Sequence, residues 1–137
     1  MSRFLPEEFM LWYVAAGSAV GGAARFLLAS FIQQRAGPSF PIGTLIVNVT
    51  GSLVLGFIMR LALSTASISP EMRTMLTTGF CGGYTTFSTF SYETMMLVEE
   101  GQYVRGAVYV LLSVVLSLIG VWLGIVAARE LVALRTR

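Results

Sequence analysis

Two sets of hydrogen-bonding side chains recur every four residues within otherwise apolar stretches of the sequence. The first set, in residues 42–64, is Thr44, Asn48 and Ser52. The second set, in residues 104–128, is Tyr109, Ser113 and Ser117. Because residues four apart share one face of a helix, each set forms a polar stripe. Two such stripes predict either one polar path between two helices or hydroxyls bonded back to their own helix and an amide that joins helices.

Glycine and hydroxyl residues dominate a third stretch, which reads GFCGGYTTFSTFSYE over residues 79–93. Three glycines followed by a Thr/Ser-rich run are poor helix formers, so we predict a helix break here. At membrane depth a break is tolerated where it is buried in protein or lines a cavity, and its freed backbone groups are ready ion ligands. After the break, Phe87 and Phe90 share one face and Ser88 and Ser91 the neighbouring one. By spacing alone, the phenylalanine pair is more typical of packing than of a functional site.

Charged residues are rare in the apolar stretches. Arg25 shares a face with Gly17 and Gly21, and the glycines favour close helix packing. Near the water interface its guanidinium could anchor on lipid headgroups or attract anions to a pore mouth.

Glu93 could couple proton transfer or, as we favour, accept hydrogen bonds from nearby hydroxyls. Cys81 has no histidine or lysine to activate it, so we expect no catalytic thiol.

The composition places these side chains in a membrane. Of the 137 residues, 55% are hydrophobic and 12% are charged, against about 25% charged in soluble domains. One span needs about 20 apolar residues, so the chain can supply three or four spans and leaves little for a separate enzymatic domain. Its nine arginines are scattered and it has no histidine. We therefore expect neither a nucleic-acid partner nor a zinc site.

The long apolar stretches predict an all-α integral membrane protein, with residues 1–137 forming a single transmembrane domain. Four transmembrane helices are expected at about residues 10–32, 42–64, 72–98 and 104–128, the third being broken mid-membrane. Both termini then lie on one side, with six arginines against three on the other. This modest bias favours cytoplasmic termini and leaves insertion in both orientations open.

Three short motifs occur in order at the expected span positions. They are GGAARF at residues 21–26, GTLIVN followed by GS within residues 43–52, and GFCGG followed by TTFSTFS and Glu93 within residues 79–93. Together they resemble the Fluc family of bacterial fluoride channels, also called CrcB, over nearly the whole chain. The resemblance implies a passive, fluoride-selective channel of the bacterial cytoplasmic (inner) membrane, multi-pass, which exports fluoride and protects against its toxicity. It does not imply an enzyme.

The resemblance also implies an assembly and a set of site residues. The subunit would form an antiparallel, dual-topology homodimer in the lipid bilayer, with two fluoride pores. A structural sodium ion at the dimer centre would be held by the backbone carbonyls of Gly82 and Thr85. The fluoride-pore residues implied are Asn48, Phe87, Phe90, Tyr109, Ser113 and Ser117. Thr44, Ser88 and Ser91 are further pore candidates that either contact the ion or brace the break, and Arg25 is the vestibule candidate.

Neutral donors are chemically suited to this ion. Fluoride is small and tightly hydrated, so a pore must replace its lost water with hydrogen bonds. The edges of aromatic rings carry the positive part of the quadrupole, so Phe87 and Phe90 can face an anion edge-on without trapping it.

Two alternatives remain open at this point. A small multidrug antiporter is also a four-span, dual-topology dimer of about this length, but it needs a carboxylate within the first span. Here Glu7 and Glu8 precede that span. A non-transporting membrane subunit would use its glycines and hydroxyls only for packing, and its function would survive replacement of Phe87 and Phe90 by isoleucine.

Overall fold

The structure is a computed structural model, and it describes residues 7–65 and 68–135. Every regular element in these ranges is helical. The elements are α1 (Glu7–Ala36), α2 (Ile42–Ser64), α3 (Pro70–Thr74), a π-helical segment (Met75–Cys81), α4 (Gly82–Tyr84), α5 (Phe87–Glu99) and α6 (Tyr103–Arg135).

Three helices, α1, α2 and α6, are long and apolar enough to cross a membrane. The shortest of them, α2, has 23 residues and is therefore about 35 Å long, which exceeds the roughly 30 Å of a bilayer's hydrocarbon core. The predicted spans at 10–32, 42–64 and 104–128 lie within these helices. The all-helical, membrane-spanning class is thus confirmed for the part of the chain that the structure describes.

The stretch predicted as a third span, residues 72–98, is not one uniform helix. Helical turns run from Pro70 to Tyr84 and include the π-helical segment, in which the helix is wider than an α-helix. Thr85 and Thr86 are extended, with ψ of 159° and 116°, and α5 begins at Phe87. The helical path is therefore interrupted for two residues directly after the glycine-rich run.

Glycines allow α1 to pack backbone to backbone on the segment before the interruption. A Cβ atom on Gly17 would meet the carbonyl oxygen of Met75, and one on Gly21 would meet the carbonyl oxygen of Phe80. A side chain at either position would push the two helices apart. The predicted close-packing role of this glycine face is confirmed.

Helices α2 and α6 approach each other in the same way. A Cβ atom on Gly56 would meet the carbonyl oxygen of Val121, and one on Gly124 would meet the carbonyl oxygen of Leu53. This close contact brings the polar stripes of α2 and α6 side by side.

The apolar core is small and lies at one end of this helix pair. It is centred on Leu45, Leu97 and Tyr109, with Phe40 and Phe90 packed against it. Large apolar side chains elsewhere on α1 and α6, such as Trp12 and Trp122, are exposed. An outer surface of this kind is suited to contact with lipid or with other transmembrane helices.

Candidate functional site

A groove of about 380 Å³ lies between α2, α6 and the interruption before α5. Its polar lining is Asn48 and Ser52 from α2, Thr85 and Thr86 from the interruption, and Ser113 and Ser117 from α6. Phe87 and Phe90 are also in the wall, together with aliphatic side chains. The structure therefore places five of the predicted pore residues in one groove, contributed by three separate parts of the chain.

Asn48 holds the interruption through both of its amide atoms. Its Nδ2 donates to the carbonyl oxygen of Thr86 at 3.0 Å, and the backbone N–H of Thr86 donates to its Oδ1 at 2.7 Å. Extended backbone next to a helix leaves such groups without helical partners, and leaving them unpaired inside a membrane is costly. Asn48 thus joins α2 to the interruption, as one of the two sequence interpretations predicted.

Hydroxyls of the residues around the start of α5 bond to one another. Thr86 is the N-cap, because its Oγ1 accepts from the backbone N–H of Thr89 at 3.1 Å and also lies 3.2 Å from Ser88 Oγ. Ser91 Oγ donates back to the carbonyl oxygen of Phe87 at 2.9 Å. Ser88 and Ser91 lie outside the lining of the groove. Thr86 was not singled out from the sequence, although a threonine directly before a helix is a recognisable N-cap signal.

The two phenylalanines stand next to each other but differ in exposure. Their ring centroids are 5.5 Å apart at an interplanar angle of 47°. The side chain of Phe87 is 78% exposed, whereas Phe90 is partly buried and packs on Tyr109 with a centroid distance of 5.3 Å. Phe87 thus lies at the open side of the groove, and Phe90 joins the groove to the core.

Ser113 carries the most informative polar atom of the groove. The residue is only 7% exposed, and its Oγ is buried without a hydrogen-bond partner among the described residues. By contrast, Ser52 donates its hydroxyl to the carbonyl oxygen of Asn48 at 2.7 Å. Buried hydroxyls normally have partners, so Ser113 is an exception within the described residues that calls for an explanation.

Glu93 links three helices through two short hydrogen bonds. Thr44 Oγ1 donates to its Oε1 at 2.8 Å, and the hydroxyl of Tyr109 donates to its Oε2 at 2.6 Å. The favoured interpretation of Glu93 as an acceptor for nearby hydroxyls is confirmed. Thr44 and Tyr109, both predicted as pore residues, lie outside the groove lining and contact this carboxylate instead.

Arg25 reaches the interruption. Its Nη1 donates to the carbonyl oxygen of Thr85 at 3.2 Å. Gly82, the other residue predicted to offer a carbonyl to sodium, is exposed and has open space around its Cα. Of the two predicted sodium-binding residues, Gly82 thus lies at the surface of the single subunit, whereas Thr85 is half-buried with the guanidinium bonded to its carbonyl oxygen.

The described residues hold no group of three or more cysteine, aspartate or glutamate side chains that could bind a metal ion. The site is built from neutral hydroxyls, amides, backbone carbonyls and aromatic rings. The carboxylate of Glu93 lies outside the groove lining and is bonded to Thr44 and Tyr109. The fold and the groove together define a multi-helix membrane protein with a groove whose described lining mixes neutral polar and apolar side chains and carries no charged one.

Comparison with known proteins gives the family. Residues 12–125 match the family described as CrcB-like protein, Camphor Resistance (CrcB). The chain therefore belongs to the CrcB family, as its motifs suggested. The relatives described next are named as ion channels, which are membrane transport proteins and not enzymes.

Curated relatives are similar over most of their length. The chain is 52% identical over 118 residues, 86% of its own length and 95% of the relative's, to a protein of Geobacter sulfurreducens named "Fluoride-specific ion channel FluC". Proteins with the same name from Rhizobium meliloti and Geobacter metallireducens are 47% and 50% identical, each with 95% of the relative covered.

Proposed function

We propose that this protein is a fluoride-selective channel through which the ion crosses the membrane passively. The observation that carries the proposal is the buried, unpaired hydroxyl of Ser113 in a groove that also holds the rings of Phe87 and Phe90. The names of the relatives, which are fluoride-specific ion channels, support it independently.

The groove offers what a dehydrated fluoride ion needs. Its lining, as far as the structure describes it, contains donors and ring edges but no charged side chain. A donor such as Ser113 Oγ replaces part of the lost hydration, and a ring edge adds a weak positive field. The donors favour entry of the ion, and because no charged side chain lies in the described lining, the ion is held weakly enough to leave.

We further propose that the channel is an antiparallel, dual-topology homodimer with two pores, and that the interruption at Thr85 and Thr86 lies mid-membrane. The groove is open on one side, and Phe87 is 78% exposed there. A ring lying at an open wall supports a second copy of the chain as the missing wall. The modest arginine bias of the sequence agrees with insertion in both orientations.

A structural sodium ion at the centre of the dimer fits the residues present. The backbone N–H of Thr86, four residues after Gly82, donates to Asn48 and not back along the helix. A carbonyl oxygen has two lone pairs, so that of Thr85 can accept from Arg25 and still face a cation. Carbonyl oxygens of Gly82 and Thr85 from each copy would hold the ion. When bound, the ion supplies fixed positive charge beside the fluoride path.

We place the protein in the bacterial cytoplasmic membrane, where a passive pore exports fluoride and so limits its toxicity. The test uses purified protein in liposomes loaded with fluoride, and a fluoride electrode records the efflux. We expect rapid fluoride release and retention of chloride in parallel liposomes. Chloride release as fast as fluoride release would contradict the proposal.

The same assay tests the aromatic pair. Replacing Phe87 and Phe90 singly by isoleucine keeps apolar volume but removes the ring edge that faces the anion. We expect at least a tenfold fall in fluoride efflux, about 1.4 kcal/mol or more in the barrier, with assembly unchanged by size-exclusion chromatography. Full efflux by both variants would favour a packing role for the rings.

A further inference from the structure

One amide side chain outside the groove holds together the connection between α1 and α2. Gln33 Nε2 donates to the carbonyl oxygens of Gly37 at 2.6 Å and Phe40 at 3.0 Å. Its Oε1 accepts from the backbone N–H of Gly43 at 3.0 Å. Both donor hydrogens and the acceptor are therefore used. Gly37, with φ of +83°, makes the sharp turn after α1 that brings these groups around the amide.

The bond to Gly43 caps α2 from another helix. The first backbone N–H groups of a helix have no partner within it. The N-cap of α2 is Pro41, whose ring offers no side-chain acceptor, and no side-chain hydrogen bond caps the helix from that position. Gln33 supplies the acceptor instead. The next residue is Thr44, which donates to Glu93, so the amide fixes the turn that aims one donor at the carboxylate.

The bond to Phe40 positions the second donor. Gln33 shares the carbonyl oxygen of Phe40 with the backbone N–H of Ile42, which donates to it at 2.8 Å. The ring of Phe40 lies edge-on against Tyr109, with centroids 5.5 Å apart at 83°. Tyr109 is fully buried, and its ring also packs on Phe90. Its hydroxyl donates to Glu93 at 2.6 Å. The ring of Phe40 thus limits the tilt of the phenol that reaches the carboxylate.

We propose that Gln33 is a positioning residue for the ion path: one amide sets both hydroxyl donors of Glu93, Thr44 through the start of α2 and Tyr109 through Phe40. The proposal rests on the proposed channel function. It differs from simple bracing of a loop, because a loop brace changes stability alone. A positioning residue also changes permeation, because Tyr109 packs on Phe90, which lies in the wall of the groove.

The first test compares Gln33→Met with Gln34→Met in the liposome assay. Methionine keeps the length of the side chain but removes all three hydrogen bonds. Gln34 is the exposed neighbour at the same helix end and serves as the matched control. We expect Gln33→Met to slow fluoride efflux by about tenfold, as small misplacements of an aligned group do, and Gln34→Met to conduct like the wild type.

A double-mutant cycle then separates positioning from bracing. If Gln33 acts through the two donors, Gln33→Met adds little to the loss already caused by the pair Thr44→Val and Tyr109→Phe. If Gln33 only braces the loop, the fold-reduction in fluoride efflux caused by Gln33→Met multiplies with that caused by the pair. Multiplying losses, or wild-type efflux by Gln33→Met, would overturn the proposal.

A second variant covers the case in which Gln33→Met does not assemble. Gln33→Glu keeps an acceptor for the N–H of Gly43 but, in its ionised form, can donate neither to Gly37 nor to Phe40. We expect it to assemble and to show the same non-additive loss in the Tyr109→Phe background; wild-type efflux or multiplying losses would overturn the proposal. A wild-type protein that does not release fluoride would refute the channel function itself, so the two failures are distinguishable.

Discussion

At the scale of single residues, hydroxyls that look alike in the sequence have different tasks. The hydroxyls of Ser52 and Ser91 donate hydrogen bonds to carbonyl oxygens of their own helices, whereas the hydroxyl of Thr44 donates to the carboxylate of Glu93. Ser113 alone among the serines named in the two stripes and the α5 start is buried with an unpaired oxygen. In the proposed channel, its hydroxyl can therefore donate to fluoride without first breaking a hydrogen bond within the protein.

Replacing Ser113 by alanine tests this difference. The hydroxyl makes no hydrogen bond within the described residues, so the variant should unfold at the same temperature as the wild type. Fluoride efflux should fall several-fold, up to about tenfold, since one hydrogen bond to an ion is lost. Ser64→Ala is the control, because Ser64 bonds back to Arg60 near the end of α2, away from the groove lining. Slower efflux from the control, or unchanged efflux from Ser113→Ala, would count against the assignment.

At the scale of elements, the interruption between α4 and α5 depends on groups from other helices. The side-chain amide of Asn48 donates to the carbonyl oxygen of Thr86 and accepts from its backbone N–H. The guanidinium of Arg25 donates to the carbonyl oxygen of Thr85. These bonds require α1 and α2 to lie close to the segment, which glycines make possible. Gly21 packs on the backbone of Phe80. Helix packing and the shape of the interruption are therefore coupled.

Two adjacent glycines of α1 give a matched test of that coupling. A Cβ atom at Gly21 would overlap the carbonyl oxygen of Phe80 and lie 2.9 Å from the backbone nitrogen of Tyr84, whereas nothing lies within 4 Å of one at Gly22. We expect Gly21→Ala to lower the free energy of unfolding by about 1–3 kcal/mol, the usual effect of overpacking. Gly22→Ala should cause no comparable loss. Thermal unfolding in detergent measures both, and equal losses would contradict this account of the packing.

At the scale of the whole molecule, one subunit presents a groove with an open side. Its lining reaches the surface through the exposed ring of Phe87, and exposed apolar side chains cover the outer faces of α1 and α6. A dehydrated ion needs a closed path. The proposed antiparallel dimer supplies the missing wall and requires that the chain insert in both orientations.

Insertion in both orientations can be measured with one introduced cysteine. Gln34 is exposed at the end of α1, and the native Cys81 is 2% exposed, so background labelling is small. In intact cells, a membrane-impermeant maleimide should label about half of the Gln34→Cys protein, and permeabilisation should release the rest. Labelling that is complete or absent before permeabilisation would show a single orientation and contradict the dual-topology proposal.

Local chemistry determined much of this protein from the sequence alone. Long apolar runs predict α1, α2 and α6, because helix length and hydrophobicity are local properties. The glycine face of Gly17 and Gly21 predicts close packing for the same reason. The stripes also predict which faces of α2 and α6 are polar, since spacing fixes the face of a helix.

Only the tertiary structure decided which of these polar groups are paired and which are free. Asn48 meets Thr86 across 38 residues, and Arg25 meets Thr85 across 60. Gln33 carried no sequence signal beyond being an amide at a helix end. Partners so distant in the chain are set by how helices stack, and stacking depends on the whole set of contacts. A hydroxyl is therefore a structural bond or an ion ligand according to its neighbours in space, which spacing along the chain does not specify.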